Sequence, residues 1–215
     1  MTHLIRKSIK NSWPIPRTGS KYIVCPYPGK KNELAMPLAI ILRDILKLAD
    51  TRKEIKELLK KDTVLVDNKI RREEKFPVCI FDTLSIPKIG KFFRMILNAH
   101  GKLALESITE KETTLKTCKI VGKKILNKGI QQINCFDSRN ILSKEKINVN
   151  DSIIFDLKEN KIVKILPLKE NAEVFVIGGK HKGIKGKIAE IKDHKIKVQI
   201  KDHLFETKAR NIYLI

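Results

Sequence analysis

The sequence has few cysteines, and none is spaced for metal binding. Cys25, Cys79, Cys118 and Cys135 are separated by 54, 39 and 17 residues. No C-x-x-C pair is therefore present to bind zinc or to form a dithiol redox site. We expect four buried thiols in a reducing compartment and no bound metal.

Long apolar runs are also lacking. No stretch approaches the roughly 18 consecutive apolar residues that a membrane span requires. The N-terminus is basic, without an apolar core of signal-peptide length. We therefore expect a soluble, cytoplasmic protein with no membrane partner.

Catalytic patterns are missing as well. The five histidines show no spacing for acid–base chemistry or metal binding: His3, His100, His181, His194 and His203. No Gly-rich cofactor turn follows a predicted strand, and Asp137-Ser138-Arg139 is explained at less cost as a loop turn. The sequence therefore predicts no enzyme: no catalytic residue, no cofactor and no small-molecule substrate.

Acidic residues are in deficit along the whole chain. Against 45 Lys and Arg stand 24 Asp and Glu, for a net charge of +21. Residues 1–35, 36–98, 99–170 and 171–215 are each positive by 5 or 6. A Lys-rich surface arising from genome composition or heat adaptation should raise Glu nearly as much. The charge therefore indicates a large polyanionic partner, such as RNA.

A Gly/Lys loop between two predicted strands is the most informative motif. Residues 174–188 place Gly178, Gly179, Gly183 and Gly186 where we expect positive φ. The phosphate-binding candidates in this loop are Lys180, His181, Lys182, Lys185 and Lys187. Backbone amides and ammonium groups would meet phosphates there at close range.

Residues 1–35 predict an extended basic arm, because prolines and glycines forbid a long helix. Its candidate RNA-binding residues are Arg6, Lys7, Lys10, Trp13, Arg17 and Lys21. Aromatic residues among cations stack on bases in RNA-binding extensions. Trp13 and Tyr22 could equally anchor the arm onto the protein's own body.

Two helices and a hairpin are predicted after the arm. Pro37 suits the start of a helix whose apolar stripe is Leu38, Ile41, Leu42, Ile45 and Leu46. Thr51 and Glu54 form a capping box for the second helix. Residues 63–72 then predict a hairpin that turns at Asp67-Asn68.

This helix–hairpin unit resembles the S-four-type RNA-binding domain over about residues 36–76. In that domain RNA backbone lies against both helices and the hairpin. The resemblance implies contacts from Arg43, Arg52, Lys53, Lys69, Arg71 and Arg72. A cation in the first helical turn, such as Arg52, is electrostatically misplaced unless an anion approaches it.

The remaining residues predict short strands, among them 103–108, 115–121, 153–157 and 162–166. We expect an α+β multidomain chain with four segments. These are an extended basic arm (1–35), a helix–hairpin RNA-binding domain with linker (36–98), a central β-barrel-like domain (99–170) and a C-terminal SH3-like barrel (171–215).

The terminal loop matches the KOW motif of several ribosomal proteins and elongation factors. The order of segments, with the strings Trp13-Pro14-Ile15-Pro16-Arg17 and Lys75-Phe76-Pro77-Val78, is similar end to end to the small-subunit ribosomal protein family S4e of archaea and eukaryotes. The resemblance implies a structural constituent of the small ribosomal subunit whose partners are small-subunit rRNA and neighbouring ribosomal proteins. A transient ribosome assembly factor, or an accessory RNA-binding module of an RNA-modification system, is the alternative.

Overall fold

The computed structural model describes residues 3–30, 33–61, 63–126, 129–192, 195–200 and 203–215. Its backbone forms two compact units: unit 1 comprises residues 1–96 and 102–114, and unit 2 comprises residues 97–101 and 115–215. Strands far outnumber helices, so the multidomain fold is mostly β with few helices. The finer division into four segments stays a prediction. No helix in the described part of the chain is long and apolar enough to cross a membrane.

Unit 1 begins with the arm. Strands β1 (Leu4–Ile5) and β2 (Tyr22–Ile23) pair antiparallel, and a 3-10 turn (Arg6–Ser8) follows β1. The Leu103 amide donates a hydrogen bond of 2.7 Å to the Ser12 carbonyl. The arm is thereby attached to the body of unit 1.

The first predicted helix is short and changes its winding. After β3 (Ala35–Pro37), helix α1 (Leu38–Ile40) continues as a π-helical turn (Ile41–Ile45). The Leu46 amide donates to the Ile41 carbonyl at 2.9 Å, a hydrogen bond that spans one residue more than in an α-helix. Lys47 then takes φ 50° and ends the helix. The sequence did not indicate this widening, because the apolar stripe has ordinary helical spacing.

The second helix begins as predicted. Helix α2 (Arg52–Lys60) has the complete capping box, in which the Thr51 side chain accepts from the Glu54 amide and the Glu54 carboxylate accepts from the Thr51 amide. Ile55 and Leu59 are buried on its inner face.

The predicted hairpin is also present. Strands β4 (Leu65–Val66) and β5 (Lys69–Ile70) are joined by Asp67 and Asn68 with φ of 51° and 58°, the paired positive angles of a type I′ turn. The remaining strands of unit 1 are β6 (Pro77–Cys79), β7 (Thr83–Ile86), β8 (Lys91–Leu97) and β9 (Leu103–Ser107). β6 pairs with β3, and a five-stranded sheet runs in the order β5-β4-β7-β8-β9.

Unit 2 contains two five-stranded antiparallel sheets. The first has the order β12-β11-β10-β13-β14. Its strands are β10 (Leu115–Ile125), β11 (Gln131–Cys135), β12 (Asn140–Ser143), β13 (Ser152–Asp156) and β14 (Lys161–Leu166). Strands β11 and β12 were not predicted, because Gln and Asn residues interrupt the alternation of apolar residues in their sequences.

The second sheet has the order β18-β17-β16-β15-β19. Its strands are β15 (Glu173–Val176), β16 (Lys185–Lys192), β17 (Lys195–Ile200), β18 (His203–Lys208) and β19 (Ile212–Leu214). Val174, Ile188, Ile196 and Val198 are buried in its core. The predicted Gly/Lys loop connects β15 and β16.

Tyr213 joins the two sheets of unit 2. Its hydroxyl accepts from the Lys119 amide at 2.9 Å and donates to the Thr117 carbonyl at 3.1 Å. The Lys119 ammonium group donates in turn to the carbonyls of Ala209 and Ile212. Complete burial raises the pKa of the Tyr213 hydroxyl well above its usual range, so this group remains a neutral donor.

Candidate nucleic-acid interface

The arginines of the arm bind the protein's own carbonyls. Arg6 donates to the Pro16 carbonyl at 3.1 Å and to the Ser20 hydroxyl at 3.2 Å. Arg17 donates to the Ile9 carbonyl at 3.2 Å and to the Asn11 side chain. Since β1 and β2 are each two residues long, these guanidinium groups help to hold the turns of the arm together.

Trp13 anchors the arm, and its ring is not exposed to solvent. Its side chain is 3% exposed, and its indole nitrogen donates to the Ala35 carbonyl at 3.0 Å. Of the two alternatives for Trp13, this burial favours anchoring of the arm and leaves too little of the ring exposed to stack on a base. Tyr22 differs: it is 51% exposed, and the Lys21 ammonium lies 5.4 Å from its ring centroid.

Three lysines of the arm are exposed, as is Arg17. Lys7, Lys10 and Lys21 all face solvent, and none forms an ion pair with another described residue. We name these three residues the arm surface. Ammonium groups of this kind are available to bind phosphates without first breaking an internal ion pair.

Arg52 has an internal anion. Its guanidinium binds both carboxylate oxygens of Glu74, one of them at 2.7 Å, and Lys56 lies 3.6 Å from the same carboxylate. The hydrogen bonds from Arg52 lower the pKa of Glu74, and those to Glu74 raise the pKa of Arg52. Glu74 therefore explains the cation in the first turn of α2, without an external phosphate.

Two further arginines of the predicted set also have protein partners. Arg43 forms a two-point pair with Asp44, with distances of 2.9 and 3.1 Å. The Arg71 guanidinium lies 4.2 Å from the ring centroid of Phe76. These contacts orient the side chains and reduce their freedom to reach RNA.

Lys53, Lys69 and Arg72 are exposed members of this predicted set, as is Arg52 despite its pair with Glu74. Lys53 and Lys69 form no ion pair within the described part of the chain. We name Lys53, Lys69 and Arg72 the helix–hairpin surface. Lys69 is positioned by the type I′ turn, and Lys53 by the first turn of α2.

Two glycines of the Gly/Lys loop have the predicted positive φ. Gly179 and Gly183 take φ of 92° and 89°. A Cβ at Gly183 would lie 1.9 Å from the Asn98 carbonyl oxygen. Gly178 and Gly186 do not have positive φ, which corrects the expectation for them. Space restricts both instead, since a Cβ at Gly186 would lie 2.7 Å from the Gln199 carbonyl oxygen.

The cations of the loop differ in their surroundings. Lys180, Lys185 and Lys187 are exposed and form no ion pair with a described residue; we name them the loop surface. Lys182 is half-buried, with its aliphatic stem over Gly101. His181 is half-buried against Phe205, with 4.5 Å between ring centroids.

Comparison with known proteins identifies the family. The model of ribosomal family S4e matches residues 89–162. The small ribosomal subunit protein eS4 of Methanocella arvoryzae is 39% identical over 88% of this chain and 81% of its own length. That of Archaeoglobus fulgidus is 37% identical over 90% of this chain and 80% of its own. The chain belongs to the ribosomal S4e family.

The fold agrees with the family. The crystal structure of 30S ribosomal protein S4e from Thermoplasma acidophilum matches with a TM-score of 0.74 and 27% identity, over 85% of this chain and 95% of that one. This S4e member therefore shares a mostly β, multidomain architecture with a solved family member.

Sequence reasoning missed one group of basic residues in this S4e chain. Lys208 ends β18 and Arg210 follows it, and both line a cavity together with Lys180 and His181. The hairpin between β17 and β18 brings them there. Neither cation lies in a recognisable motif, so only the strand pairing could have shown their proximity.

Cys118 and Cys135 of this S4e chain lie beside a buried ion pair. Cys79 is also buried, but Cys25 is only half-buried, which corrects the expectation of four buried thiols. The ligand atoms of Cys118, Cys135 and Asp137 lie within 4.8 Å of one another. Lys116 already binds the Asp137 carboxylate at 2.8 Å, and Arg139 binds it at 3.1 Å. The hydrogen bond with Cys135 and burial raise the pKa of the Cys118 thiol well above its usual range. A neutral thiol beside a neutralised carboxylate is a poor metal ligand set.

His194, one of the scattered histidines, lies outside the described residues.

Proposed function

We propose that this chain is a structural constituent of the small ribosomal subunit, in the cytoplasm, and that it acts by binding small-subunit rRNA. The observation that carries the proposal is the set of solvent-facing lysines without an internal anion. They occur on the arm surface and the helix–hairpin surface of unit 1 and on the loop surface of unit 2. Membership of a ribosomal protein family supports a structural rather than a catalytic role.

Each surface is a separate phosphate clamp in this proposal. Folded rRNA presents a different backbone stretch to each, and recognition depends on RNA shape more than on base sequence. The arginines of unit 1 act indirectly: Arg6 and Arg17 fold the arm, and Arg52 fixes the start of α2, so that the neighbouring lysines are correctly placed. Arg43, Arg71 and Arg72 contribute at the edge of the helix–hairpin surface.

The domain assignments support the same function. Residues 36–98 act as an S-four-type RNA-binding domain, with α2 and the β4–β5 hairpin forming one basic face. Residues 171–215 act as a KOW-bearing SH3-like barrel, supported by five antiparallel strands and a Gly/Lys loop between β15 and β16. The central β domain proposed for residues 99–170 contains the sheet of β10 to β14, whereas β9 pairs within the sheet of unit 1. Neighbouring small-subunit ribosomal proteins are the other partners of the chain.

Binding to transcribed rRNA tests this proposal. Wild-type protein should prefer small-subunit over large-subunit rRNA, with an affinity that falls steeply with salt. The double variant Lys53→Ala with Lys69→Ala should reduce the slope of log affinity against log salt by about 1.5, since each phosphate contact contributes roughly 0.7–0.9.

A matched control removes two exposed lysines that have internal anions. Lys161 pairs with Glu159 at 3.2 Å, and Lys192 pairs with Glu190 at 2.9 Å. Lys161→Ala with Lys192→Ala has the same net charge as the first double variant and should leave the slope nearly unchanged. Equal slopes for the two double variants would exclude the helix–hairpin surface from the interface. Equal affinity of the wild-type protein for both rRNAs would contradict the function itself.

A further inference from the structure

A cavity in unit 2 combines an aromatic wall with a basic rim. It has a volume of about 380 Å³ and lies between the Gly/Lys loop and the end of β18. This volume is at the small end of the range for ligand pockets in proteins, which is roughly 300–1,000 Å³. The cavity therefore has room for a small ligand but not for a duplex.

The wall is formed by two rings from different elements. Phe205 lies on β18, where it pairs with Val198 of β17 and packs at the edge of the core. His181 from the loop lies against it, with 4.5 Å between ring centroids and an interplanar angle of 39°. Both residues line the cavity, so together they give it an aromatic surface. A flat apolar ring fits such a surface better than an aliphatic chain.

The rim carries cations. Lys180, Lys208 and Arg210 line the cavity, are exposed, and form no ion pair with a described residue. Glu206 is the acidic lining residue, and it lies 3.9 Å from the Lys195 ammonium group. The rim is consequently net positive and suited to an anion with the charge of a phosphate.

Glycines keep the cavity open beside an amide side chain. A Cβ at Gly178 would lie 2.9 Å from the Asn211 side-chain oxygen, so any larger residue would displace Asn211. Gly179 adjoins the amide nitrogen of the same side chain and has φ 92°. Asn211 thus presents both a donor and an acceptor at the wall, the pair of groups that can bind the edge of a base.

From these features we infer that the cavity holds a single unpaired nucleotide of the bound RNA, extruded from its helix or loop. The base lies against Phe205 and His181, its edge faces Asn211, and its phosphate lies among Lys180, Lys208 and Arg210. Unstacked bases that pack on aromatic rings are the usual targets of specific RNA recognition. This inference rests on the proposed function and adds to it one base-specific site, distinct from the phosphate clamps.

Phe205→Leu tests the inference in the full chain. Leucine keeps apolar packing at the edge of the core but removes the aromatic face. Affinity for transcribed small-subunit rRNA should fall about tenfold, because stacking of one base on an aromatic side chain contributes roughly 1–3 kcal/mol and about 1.4 kcal/mol is tenfold. The salt slope should stay unchanged, since no charge is removed.

Controls separate stacking from folding. Leu204→Ala changes the neighbouring residue of β18, which is 64% exposed, and should bind as wild type does. His181→Ala changes only the loop and should also weaken binding, so the test does not depend on the Phe205 variant alone. Chemical probing of the bases in the complex should show one unpaired base that wild type protects and Phe205→Leu leaves reactive.

The outcomes distinguish the inference from the proposed function. If wild type binds the rRNA but Phe205→Leu gives the same affinity and the same base protection, the inference is overturned and the function stands. If wild type does not bind small-subunit rRNA, the function fails. Nuclear magnetic resonance then tests the cavity by itself. Shifts of the Phe205 ring and the Gly179 amide with adenosine monophosphate, but not with inorganic phosphate, support a nucleotide site, and equal responses to both overturn it.

Discussion

At the scale of single residues, three arginines and three lysines of unit 1 differ in their contacts. Arg6, Arg17 and Arg52 bind carbonyls or carboxylates of the protein itself, whereas Lys7, Lys53 and Lys69 face solvent without an ion pair among the described residues. The planar guanidinium makes several directed hydrogen bonds at once, which suits internal bracing. The flexible ammonium is better suited to following an irregular phosphate surface.

Adjacent residues of α2 test this division. Arg52→Ala removes the partner of Glu74, whose side chain is 7% exposed, and should lower the free energy of unfolding of unit 1 by about 1–3 kcal/mol. Lys53→Ala should leave stability within about 0.5 kcal/mol of wild type but weaken rRNA binding. Urea unfolding, followed by filter binding at a single salt concentration, measures both effects. Equal destabilisation by the two substitutions would contradict separate roles.

The Arg52–Glu74 pair also predicts a dependence of stability on pH. Hydrogen bonds from Arg52 lower the pKa of Glu74, so the pair stabilises the folded state fully above the ordinary carboxyl pKa of about 4.3. That contribution is lost as the pH falls through the lower pKa of the folded state. Glu74→Gln should therefore melt below wild type at neutral pH, and the difference should shrink below about pH 4. A constant difference in melting temperature from pH 7 to pH 3 would contradict this account.

At the scale of elements, the sequence was most informative where local chemistry decides the structure. The capping box of Thr51 and Glu54 and the Asp67-Asn68 turn are confirmed, because neighbouring residues alone satisfy their geometry. The π-helical turn was not predictable, since the apolar stripe of residues 38–46 has ordinary helical spacing. Strands β11 and β12 were missed because pairing between strands outweighs the polar residues they contain: β11 pairs with β10, and β12 pairs with β11.

The candidate site also combines features that the sequence predicts with features that it does not. The net positive charge of the chain and the Gly/Lys loop predicted its basic character. Three further features depend on residues far apart in sequence. Trp13 is buried, Arg52 is paired with Glu74, and Lys208 and Arg210 lie near His181. Such contacts leave no local pattern, so the basic surfaces were predictable but the side chains that remain available on them were not.

Glycine substitutions at the Gly/Lys loop provide a prediction at this scale. Gly183→Ala should destabilise unit 2 by more than about 2 kcal/mol, because it combines strain at φ 89° with a clash against the Asn98 carbonyl. Gly129→Ala, also in unit 2, has φ 72° but no atom within 4 Å of its Cβ, so strain alone should cost about 1 kcal/mol. Thermal unfolding of both variants compares the two effects. Similar melting temperatures would show that the loop moves to accept a side chain.

At the scale of the whole molecule, charge is distributed rather than concentrated. All four predicted segments are positive, and exposed lysines occur on both compact units. A protein that contacts folded rRNA along its length needs this distribution, whereas a binder of one short element needs a single basic patch. Membership of the S4e family and the distribution of positive charge therefore indicate the same partner, rRNA.

Sedimentation of a cell lysate in magnesium tests whether the protein is a structural constituent of the small ribosomal subunit. The protein is followed through small-subunit, large-subunit and free fractions, and the small-subunit fraction is then washed with high salt. A structural constituent should be present in one copy per small subunit and should remain there after the wash. Release by the wash, or confinement to free and pre-ribosomal fractions, would contradict the account and indicate a transient assembly factor.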